Sequence, residues 1–416
     1  MGSTSLSQIP DPRSRRGRQH ALAAILGLVS CAILCGARGD TAIAQWAADH
    51  HIALMHRLGF TRRPPKLGGI RKRLIALDVT AFEAALTPWA ESLLGRSCGH
   101  DRLPLEAFSI DVKTARGSSD GLRKAVHLLA LVAHESGLTL AQRAVPDGVL
   151  DKTNEHKASL RLLTALVLEG RLITGDAMFC QGDLNAQVVG QGGHYLFFVK
   201  AHQPTLLRDI EAAFAPSTEG LFPPRQREIR RREMDRATTL DKGHGRRERR
   251  TLRATTALNG YLDWPGVAQV GQVESEVTRG GKTSTEVRSF ITSVPRARAD
   301  AESLLRYVRG HWTIENRSHH VRDTTFGEDA SQIRKGAGPE VMAAFRNAAI
   351  GFLRVTGADN IAAALRRNAA QVNDLFTRLG ILKLWRALTL AFFGYNLEPG
   401  GSRRRAVRRT ILPSVA

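Results

Sequence analysis

The sequence predicts a mixed α/β fold, in which a five-stranded mixed sheet with helices is flanked by helical regions and carries a β-rich insertion. Three apolar runs of strand length follow one another and then give way to alternating strands and helices. Apolar residues recur at helical spacing before and after this part of the chain. The 416 residues, 43% of them hydrophobic, suffice for cores in several domains of roughly 100 to 200 residues each.

Residues 1–100 are predicted to form a helical N-terminal domain. Apolar positions recur at helical spacing over 20–35, 41–58 and 82–94. The segment 61–73, TRRPPKLGGIRKR, has six basic residues and no acid. We expect it at the surface, either as a solvated linker or as a loop that contacts phosphate.

The apolar run 21–37 follows four arginines, an arrangement also found in secretory signals and signal anchors. The run has only 17 residues and is rich in Ala, Gly, Cys and Ser, whereas a membrane span needs about 20 apolar residues. We interpret it as a buried first helix, with export as the alternative. No membrane association is predicted.

Residues 101–215 are predicted to contain the sheet. Three strands joined by short turns form an antiparallel meander, and two further strands alternate with helices near 155–169 and 181–190 and from Pro204 onward. The expected strands are 107–112, 124–133, 138–145, 171–176 and 194–200.

The rest of the chain is predicted as three further regions. Residues 216–297 read as a β-rich insertion, with strands at 269–277 and 286–294. Residues 298–355 complete the core with one long helix over 300–321, in which Gly310 is the weak point. Residues 356–416 are helical and end in a basic tail, with five arginines between Arg403 and Arg409.

The charge balance points to a polyanionic partner. Sixty Lys and Arg against 39 Asp and Glu give a net charge of +21, which nucleic acid would offset, with anionic membrane as second choice. Four cysteines without a CxxC pair indicate a reducing compartment. There is no P-loop or dinucleotide fingerprint in the sequence, so nucleotide hydrolysis has no support.

Three carboxylates stand where a solvated acid is not expected. Asp111 lies inside an apolar strand, and Asp176 ends another strand, where ligand groups converge in open sheets. Glu315 lies on the long helix, with His311 at i−4 and His319 at i+4 on the same face. If the first and fourth strands are neighbours, Asp111 and Asp176 come close together.

Carboxylates brought together near a sheet need a cation between them, because like charges raise one another's pKa. All-oxygen ligation selects Mg²⁺ or Mn²⁺ over zinc. Alternatives remain: each aspartate could cap a turn, and His319, His320 and Asp323 could bind zinc, although the cysteines of a structural zinc motif are missing. A Ser-His-Asp triad has no G-x-S-x-G elbow to support it.

At this point the sequence resembles a known family. The motifs include IPDPRSRRGRQHAL, SIDVKTARGS, DKTNEHKASLRLL, GRLITGDAMFCQ, YLFFVKAHQ, DKGHGRRERR and HWTIENRSHHVRDTTFGEDASQIR, in this order over 6–353. They resemble the DDE transposases of the H-repeat-associated, ISAs-type insertion sequences. The resemblance implies an RNase H-like core and assigns the catalytic acids to Asp111, Asp176 and Glu315.

Two departures from the family pattern stand beside these acids. Val112 occupies a position where the family usually has Gly, and could tighten the backbone next to the first acid. The segment 318–320, SHH, replaces the more usual Leu-His-Trp and could loosen the packing of the helix. Neither departure removes a predicted metal ligand. Glu328 and Asp329 are expected to be structural.

The resemblance implies an enzyme that cuts transposon ends and joins them to target DNA, with two Mg²⁺ or Mn²⁺ ions assisting an in-line displacement. A homodimer on terminal-repeat and target DNA is expected by analogy, in the bacterial cytoplasm and on the nucleoid when bound. The residues predicted to contact DNA are Lys113, Arg116, Lys200, Gln203, Arg246, Asn316, Arg322 and Arg334.

Other function classes remain as alternatives. A nuclease of the same fold, such as a junction resolvase, would share the acids but would not join a 3′ end to a new strand. A non-catalytic DNA-binding protein derived from a transposase would have lost the chemistry.

Overall fold

The computed structural model describes most of the chain between residues 9 and 381. The predicted basic tail, 403–409, and the first part of the predicted insertion, 216–233, lie outside the described residues. The described ranges are 9–95, 103–119, 121, 124–145, 152–215, 234–243 and 245–381.

Five helices form the N-terminal region. They are α1 (Leu22–Leu34), α2 (Asp40–Asp49), α3 (Ile52–Arg57), α4 (Leu67–Ala76) and α5 (Val79–Leu94). Eleven of the 13 residues of α1 are buried, which confirms the interpretation of the apolar run as a buried helix. Among the described residues, no helix is both long and apolar enough to cross a bilayer.

The basic segment 61–73 differs from its prediction. It was expected to be a linker or loop, but its second half is the first part of α4. Helix α4 buries Ile70 and Leu74, which lie one turn apart. Two apolar residues at this spacing are enough to anchor the segment to the core, despite its high density of positive charge.

The centre of the molecule is one nine-stranded mixed sheet, and all seven strands predicted from the sequence are confirmed. The strand order is β3-β2-β1-β4-β5-β9-β8-β7-β6. The strands are β1 (Glu106–Ala115), β2 (Val126–Ala133), β3 (Thr139–Val145), β4 (Arg171–Gly175), β5 (His194–Val199), β6 (Met234–Gly243), β7 (Arg246–Thr255), β8 (Gln269–Arg279) and β9 (Lys282–Thr292).

Strands β1 to β3 form the predicted antiparallel meander, and β4 and β5 run parallel to β1. Strand β9 then pairs antiparallel with β5, with Val199 opposite Ser289 and Leu196 opposite Thr292. The strands of the β-rich insertion therefore extend the central sheet rather than forming a second one.

Helices cover both faces of this sheet. Helices α6 (Lys152–Thr164), α7 (Gly182–Gly190) and α8 (Pro204–Phe214) lie between the strands in sequence, as predicted. After β9 come α9 (Ala301–His311), a π-helical turn (Ile314–His319), α10 (His320–Thr324), α11 (Gly338–Val355), α12 (Ile361–Ala370) and α13 (Val372–Arg378).

The long helix predicted over 300–321 is interrupted, and not at its glycine. Gly310 is helical, whereas α9 ends at His311 and a π-helical turn follows from Ile314. Such turns occur mostly as short interruptions of α-helices, frequently at functional sites. The turn contains Glu315.

Two apolar clusters hold the layers together. The larger one packs α1, α5 and α11 against one sheet face and includes Phe108 and Ile110 of β1. The second packs α9 against the other face. It includes Ala107 of β1 together with Leu304 and Leu305 of α9. Residues of β1 therefore alternate between the two layers, as side chains do along a strand.

Candidate active site

Strand β1 directs Asp111 toward the layer that contains α9. Ile110 and Val112, its neighbours in sequence, pack with the larger cluster on the opposite face. The Asp111 side chain is 26% exposed. The bulk of Val112 is therefore accommodated in the apolar layer, away from the carboxylate, and does not crowd it.

Asp176 lies beside Asp111 because β1 and β4 are parallel neighbours. Ile110 of β1 is in register with Gly175 of β4, so the residue that follows each of them is an aspartate at the same level of the sheet. Adjacent strands lie about 4.8 Å apart. The first and fourth strands are thus neighbours, which is the condition that the sequence argument set for bringing Asp111 and Asp176 together.

Asp176 is held as a carboxylate by hydrogen bonds and by charge. Its Oδ2 lies 3.0 Å from Lys200 Nζ. Burial acts to raise the pKa of Asp176, but hydrogen bonds from the Ala177 backbone N–H and from Lys200 outweigh it, so the pKa is below its usual value. Lys200 itself is 58% exposed and can also reach a ligand.

Glu315 reaches the same place from the π-helical turn, together with His319. His319 Nδ1 lies 3.7 Å from Asp111 Oδ2 and 3.6 Å from Glu315 Oε2. Ligand atoms of these three side chains all lie within 4.8 Å of one another. The imidazole of His319 is the first cause of the lowered pKa of Glu315, and it outweighs the effect of partial burial.

Asp111 differs electrostatically from the other two acids. Burial, with a smaller effect of the nearby carboxylates of Glu315 and Asp176, raises the pKa of Asp111 to about 6 against the opposing effect of His319. Asp111 thus shows the electrostatic cost of placing three carboxyl groups close together. A cation between them would remove this cost.

A buried polar network fixes the end of α9 to the two strands that carry the aspartates. Thr174 Oγ1 donates to the Phe108 carbonyl oxygen, 3.2 Å away, and lies 3.1 Å from His311 Nδ1 and 2.9 Å from His134 Nε2. Ser109 Oγ donates to the His311 carbonyl oxygen. Since the Thr174 hydroxyl has one proton, both imidazoles donate to it.

Both histidines of this network are neutral. Burial lowers the pKa of His311 to about 4 and the pKa of His134 to about 3. They therefore position α9 through hydrogen bonds and add no positive charge beneath the acids.

Two of the predicted DNA contacts, Lys113 and Arg116, follow Asp111 along the chain. Lys113 is buried, and its Nζ lies 2.7 Å from Asp323 Oδ2, which ties β1 to α10. Arg116 is 80% exposed and 3.9 Å from Asp329. Arg116 is thus open to a ligand, whereas Lys113 acts first as part of an ion pair.

The other predicted contacts are spread around the site. Gln203 donates to the Cys180 carbonyl oxygen at the start of α8, and Asn316, on the exposed side of the π-helical turn, donates to the Trp312 carbonyl oxygen. Arg246 is half exposed on β7, where it pairs with Glu248.

Arg334 lines a cavity of about 840 Å³ between α2, α4 and the segment that precedes α11. Arg38, Arg71 and Lys335 line the same cavity. Asp40, which pairs with Arg71, is an acid among them. We call this cavity the basic groove. It brings the N-terminal helices and the core together around a surface with an excess of positive charge.

The structure places Arg322 away from any surface, contrary to the prediction that it clamps phosphate. Its side chain is fully buried, with two guanidinium nitrogens 3.0 and 2.6 Å from the Glu328 carboxylate oxygens. Arg346 Nη1 lies 3.0 Å from the same carboxylate. These charges hold α10, the segment after it and α11 together, which agrees with the structural role predicted for Glu328.

His319 is the site residue that sequence reasoning did not assign to the acids. Its position four residues after Glu315 was the available signal, because i and i+4 share a helix face. The zinc alternative is not formed among the described residues: His320 is exposed, and Asp323 is paired with Lys113.

The side chains present fit a divalent cation. Asp111, Glu315 and His319 supply oxygen and nitrogen donors at separations that suit a shared ion, and Asp176 adds a carboxylate on the next strand. A mixed sheet that brings acids from distant segments of a basic chain to one place is typical of metal-dependent enzymes that act on nucleic acid.

Comparisons with known proteins identify the family. The profile described as Transposase DDE domain matches residues 71–352, and the profile described as DDE_Tnp_1-associated matches residues 3–90. The chain therefore belongs to the DDE transposase family, which confirms the resemblance seen in the motifs and implies the use of a divalent metal.

Relatives of similar length support this assignment. YhhI of Escherichia coli K12, named as an H repeat-associated transposase, is 30% identical over 358 residues, with 84% of this chain and 89% of YhhI covered. YncI of Escherichia coli O157:H7, also named as a transposase, is 29% identical over 355 residues, with 84% and 86% covered.

A solved structure also matches, at a low level. The piggyBac transposase synaptic complex with hairpin DNA covers 91% of this chain and 77% of its own chain, at 9% identity and a TM-score of 0.37. This score is too low to carry an argument about the fold.

Proposed function

We propose that this transposase cleaves the ends of an insertion sequence and joins the resulting 3′-hydroxyl groups to target DNA. The single observation that carries the proposal is the convergence of Asp111, Asp176 and Glu315, which come from two parallel strands and a π-helical turn. The order of the first five strands, a meander followed by parallel strands, supports an RNase H-like core for this chemistry.

The three acids and His319 would hold the metal, either Mg²⁺ or Mn²⁺ and in two sites. A bound divalent cation lowers the pKa of an attacking hydroxyl and stabilises the charge on the leaving oxygen. The chain itself contributes position: the network around Thr174 fixes α9, and Lys113 with Asp323 fixes α10, relative to the strands. Lys200, exposed beside Asp176, is suited to orient a phosphate.

DNA binding would extend from the acids to the basic groove. Arg116 and Arg334 lie on the path between them, since Arg334 Nε donates to the Gly117 carbonyl oxygen. We propose that residues 1–100 act as a domain that recognises terminal repeats. Two subunits would pair two ends, so a homodimer on DNA belongs to the proposal.

The test uses the full chain and DNA carrying the inverted repeats that flank its own gene. With Mg²⁺ or Mn²⁺, wild type is expected to cut this DNA and join its 3′ ends to a plasmid. Asp111→Asn, Asp176→Ala and Glu315→Gln should each lower the rate on the order of a thousandfold or more, as for residues acting as a catalytic unit.

Glu302→Gln is the matched control, because Glu302 is an exposed acid at the start of α9. Its activity should equal that of wild type. Cutting without joining would identify a nuclease and contradict the proposal. Equal inactivity of wild type and Asp176→Ala, with DNA binding retained, would identify a non-catalytic binding protein instead.

A further inference from the structure

His319 is buried among the acids without the hydrogen bonds that usually hold a buried imidazole. Its side chain is 6% exposed, and Nε2 has no hydrogen-bond partner within the described part of the chain. Nδ1 lies 3.7 Å from Asp111 and 3.6 Å from Glu315. Both separations exceed the range of about 2.7 to 3.2 Å for N–H···O hydrogen bonds.

These separations suit atoms that share a metal ion. Two ligand atoms at bond lengths of about 2.1 Å from one ion lie roughly 3 to 4 Å apart. One ligand atom each of Asp111, Glu315 and His319 lies within 4.8 Å of the other two. We propose that His319 is a direct metal ligand together with Asp111 and Glu315, an inference that rests on the proposed function.

The nitrogen ligand gives this site a preference among metals. Mg²⁺ takes oxygen ligands in near-ideal octahedral geometry and retains several waters, whereas first-row transition ions accept imidazole. Of these, Mn²⁺ is the one that also suits carboxylate oxygens. His319 therefore increases the preference of the Asp111–Glu315 site for Mn²⁺ over Mg²⁺ beyond what the two carboxylates alone would give.

Local structure explains how the side chain is held there. Glu315 is the second residue of the π-helical turn and His319 is its last. Both side chains therefore project from one short element. Asp323, one turn further on, is paired with Lys113 of β1. This ion pair therefore holds Glu315 and His319 close to Asp111 on the strand, and it does so without a metal.

Pulsed electron paramagnetic resonance on the full chain with Mn²⁺ alone tests the proposal directly. A coordinated imidazole produces a ¹⁴N modulation of the Mn²⁺ echo, and labelling histidine with ¹⁵N changes it. We expect this signal in wild type and in His320→Gln, whose imidazole is exposed next to His319. The signal should disappear in His319→Gln.

Metal affinity provides a second measurement that needs no catalysis. His319→Gln should bind Mn²⁺ at least about tenfold more weakly, since loss of an outer-shell partner alone costs 10 to 100-fold. Its affinity for Mg²⁺ should change much less, so the ratio of the two affinities should fall. An unchanged ratio would contradict the proposal, as would a ¹⁴N signal that persists in His319→Gln or is missing from wild type.

The two proposals fail in distinguishable ways. Asp111→Asn should weaken Mn²⁺ binding whether or not His319 is a ligand. If Asp111→Asn weakens binding and no nitrogen signal exists in wild type, the role of His319 is wrong and the acids still bind metal. If Mn²⁺ binding does not depend on Asp111 at all, the proposed function fails as well.

Discussion

Glu328 lies between two arginines in the interior, where an uncompensated charge is costly. Arg322, Glu328 and Arg346 have 0%, 1% and 2% of their side-chain surface exposed. The two arginines lower the pKa of Glu328 against the effect of burial. Glu328→Ala should therefore destabilise the protein by about 3 to 5 kcal/mol, measured by urea unfolding.

Asp329 offers the matched control for this experiment. It pairs with Arg116, which is largely solvated, and exposed ion pairs contribute about 0 to 1 kcal/mol. Asp329→Ala should change the free energy of unfolding by no more than that. Equal effects of the two substitutions would show that the buried charges do not support the fold in this way.

Glu83 on α5 is a second, largely buried acid, and within the described part of the chain no arginine or lysine forms an ion pair with it. Gln142 Nε2 donates to its Oε1, 3.0 Å away. Burial, together with nearby Glu340, raises the pKa of Glu83 to about 8, against the lowering effect of the hydrogen bond from Gln142. The carboxyl is therefore mostly neutral at neutral pH.

This pKa predicts a pH dependence of stability. The folded value, about 8, lies above the ordinary value of 4.5, so the stability linked to the neutral form is complete below about pH 4.5 and is lost as the pH rises through 8. The loss is about 1.4 kcal/mol per pH unit in that window. Glu83→Gln should remove this loss in urea unfolding at several pH values.

Glu302→Gln again serves as the control, since an exposed acid should leave the pH profile of unfolding as it is in wild type. A profile of Glu83→Gln that still falls in parallel with wild type between about pH 5 and pH 8 would contradict the assignment.

At the level of elements, the end of α9 is fitted to the sheet so closely that one position has no room for a side chain. A Cβ on Gly310 would overlap the ring of His134. Alanine in place of glycine normally stabilises a helix by about 1 kcal/mol. Gly310→Ala should instead lower the melting temperature, because the clash would displace the imidazole that donates to Thr174.

Gly68 provides the comparison for Gly310. It lies near the start of α4, where an added Cβ would meet nothing within 4 Å. Gly68→Ala should be neutral or slightly stabilising. The double variant Gly310→Ala with His134→Ala should be less destabilised than the sum of its single substitutions; simple additivity would show that these two residues do not conflict.

Much of this architecture could be predicted from the sequence, for identifiable reasons. The strands around Asp111 and Asp176 were predicted because apolar runs between turn residues have a clear length and period. The sequence wrongly marked Gly310 as the weak point of the long helix, since the reason for this glycine is a contact with His134, far away in sequence, and the helix is interrupted beyond it. Strand pairing between β5 and β9 is non-local in the same way.

Side-chain roles were predicted less well than strands. Motif position correctly nominated Glu315 as an acid close to Asp111, because helix and strand patterns fix where an element lies. It could not separate the exposed Arg116 from the buried Arg322, since both are arginines in basic segments. Burial depends on which elements pack over a residue, and that information lies elsewhere in the chain.

At the scale of the whole molecule, the basic groove joins the N-terminal helices to the core. Arg38, Arg71, Arg334 and Lys335 line it, with Asp40 as the opposing charge. If DNA binds there, the double substitution Arg334→Glu and Lys335→Glu should weaken binding. It should also reduce the slope of log affinity against log salt by about 2, because each phosphate contact contributes roughly one unit.

A control with the same change in net charge separates this effect from general electrostatics. Arg366 and Arg367 are exposed on α12 and do not line the groove. Replacing both with Glu should leave the salt slope, measured by fluorescence anisotropy, near the wild-type value. Equal losses from the two double variants would show that the groove is not a specific DNA-binding surface.

The position of the aspartates in the nine-stranded sheet has a consequence for local unfolding of the protein. Strands β1 and β4 are hydrogen-bonded on both sides, and the outermost strands, β3 and β6, are two and five places away from the nearer of them. Local opening begins where backbone groups meet water, at margins and termini. Amide protons at 107–112 and 172–175 should thus be among the slowest to exchange with deuterium, so that the acids remain aligned while the periphery opens and closes.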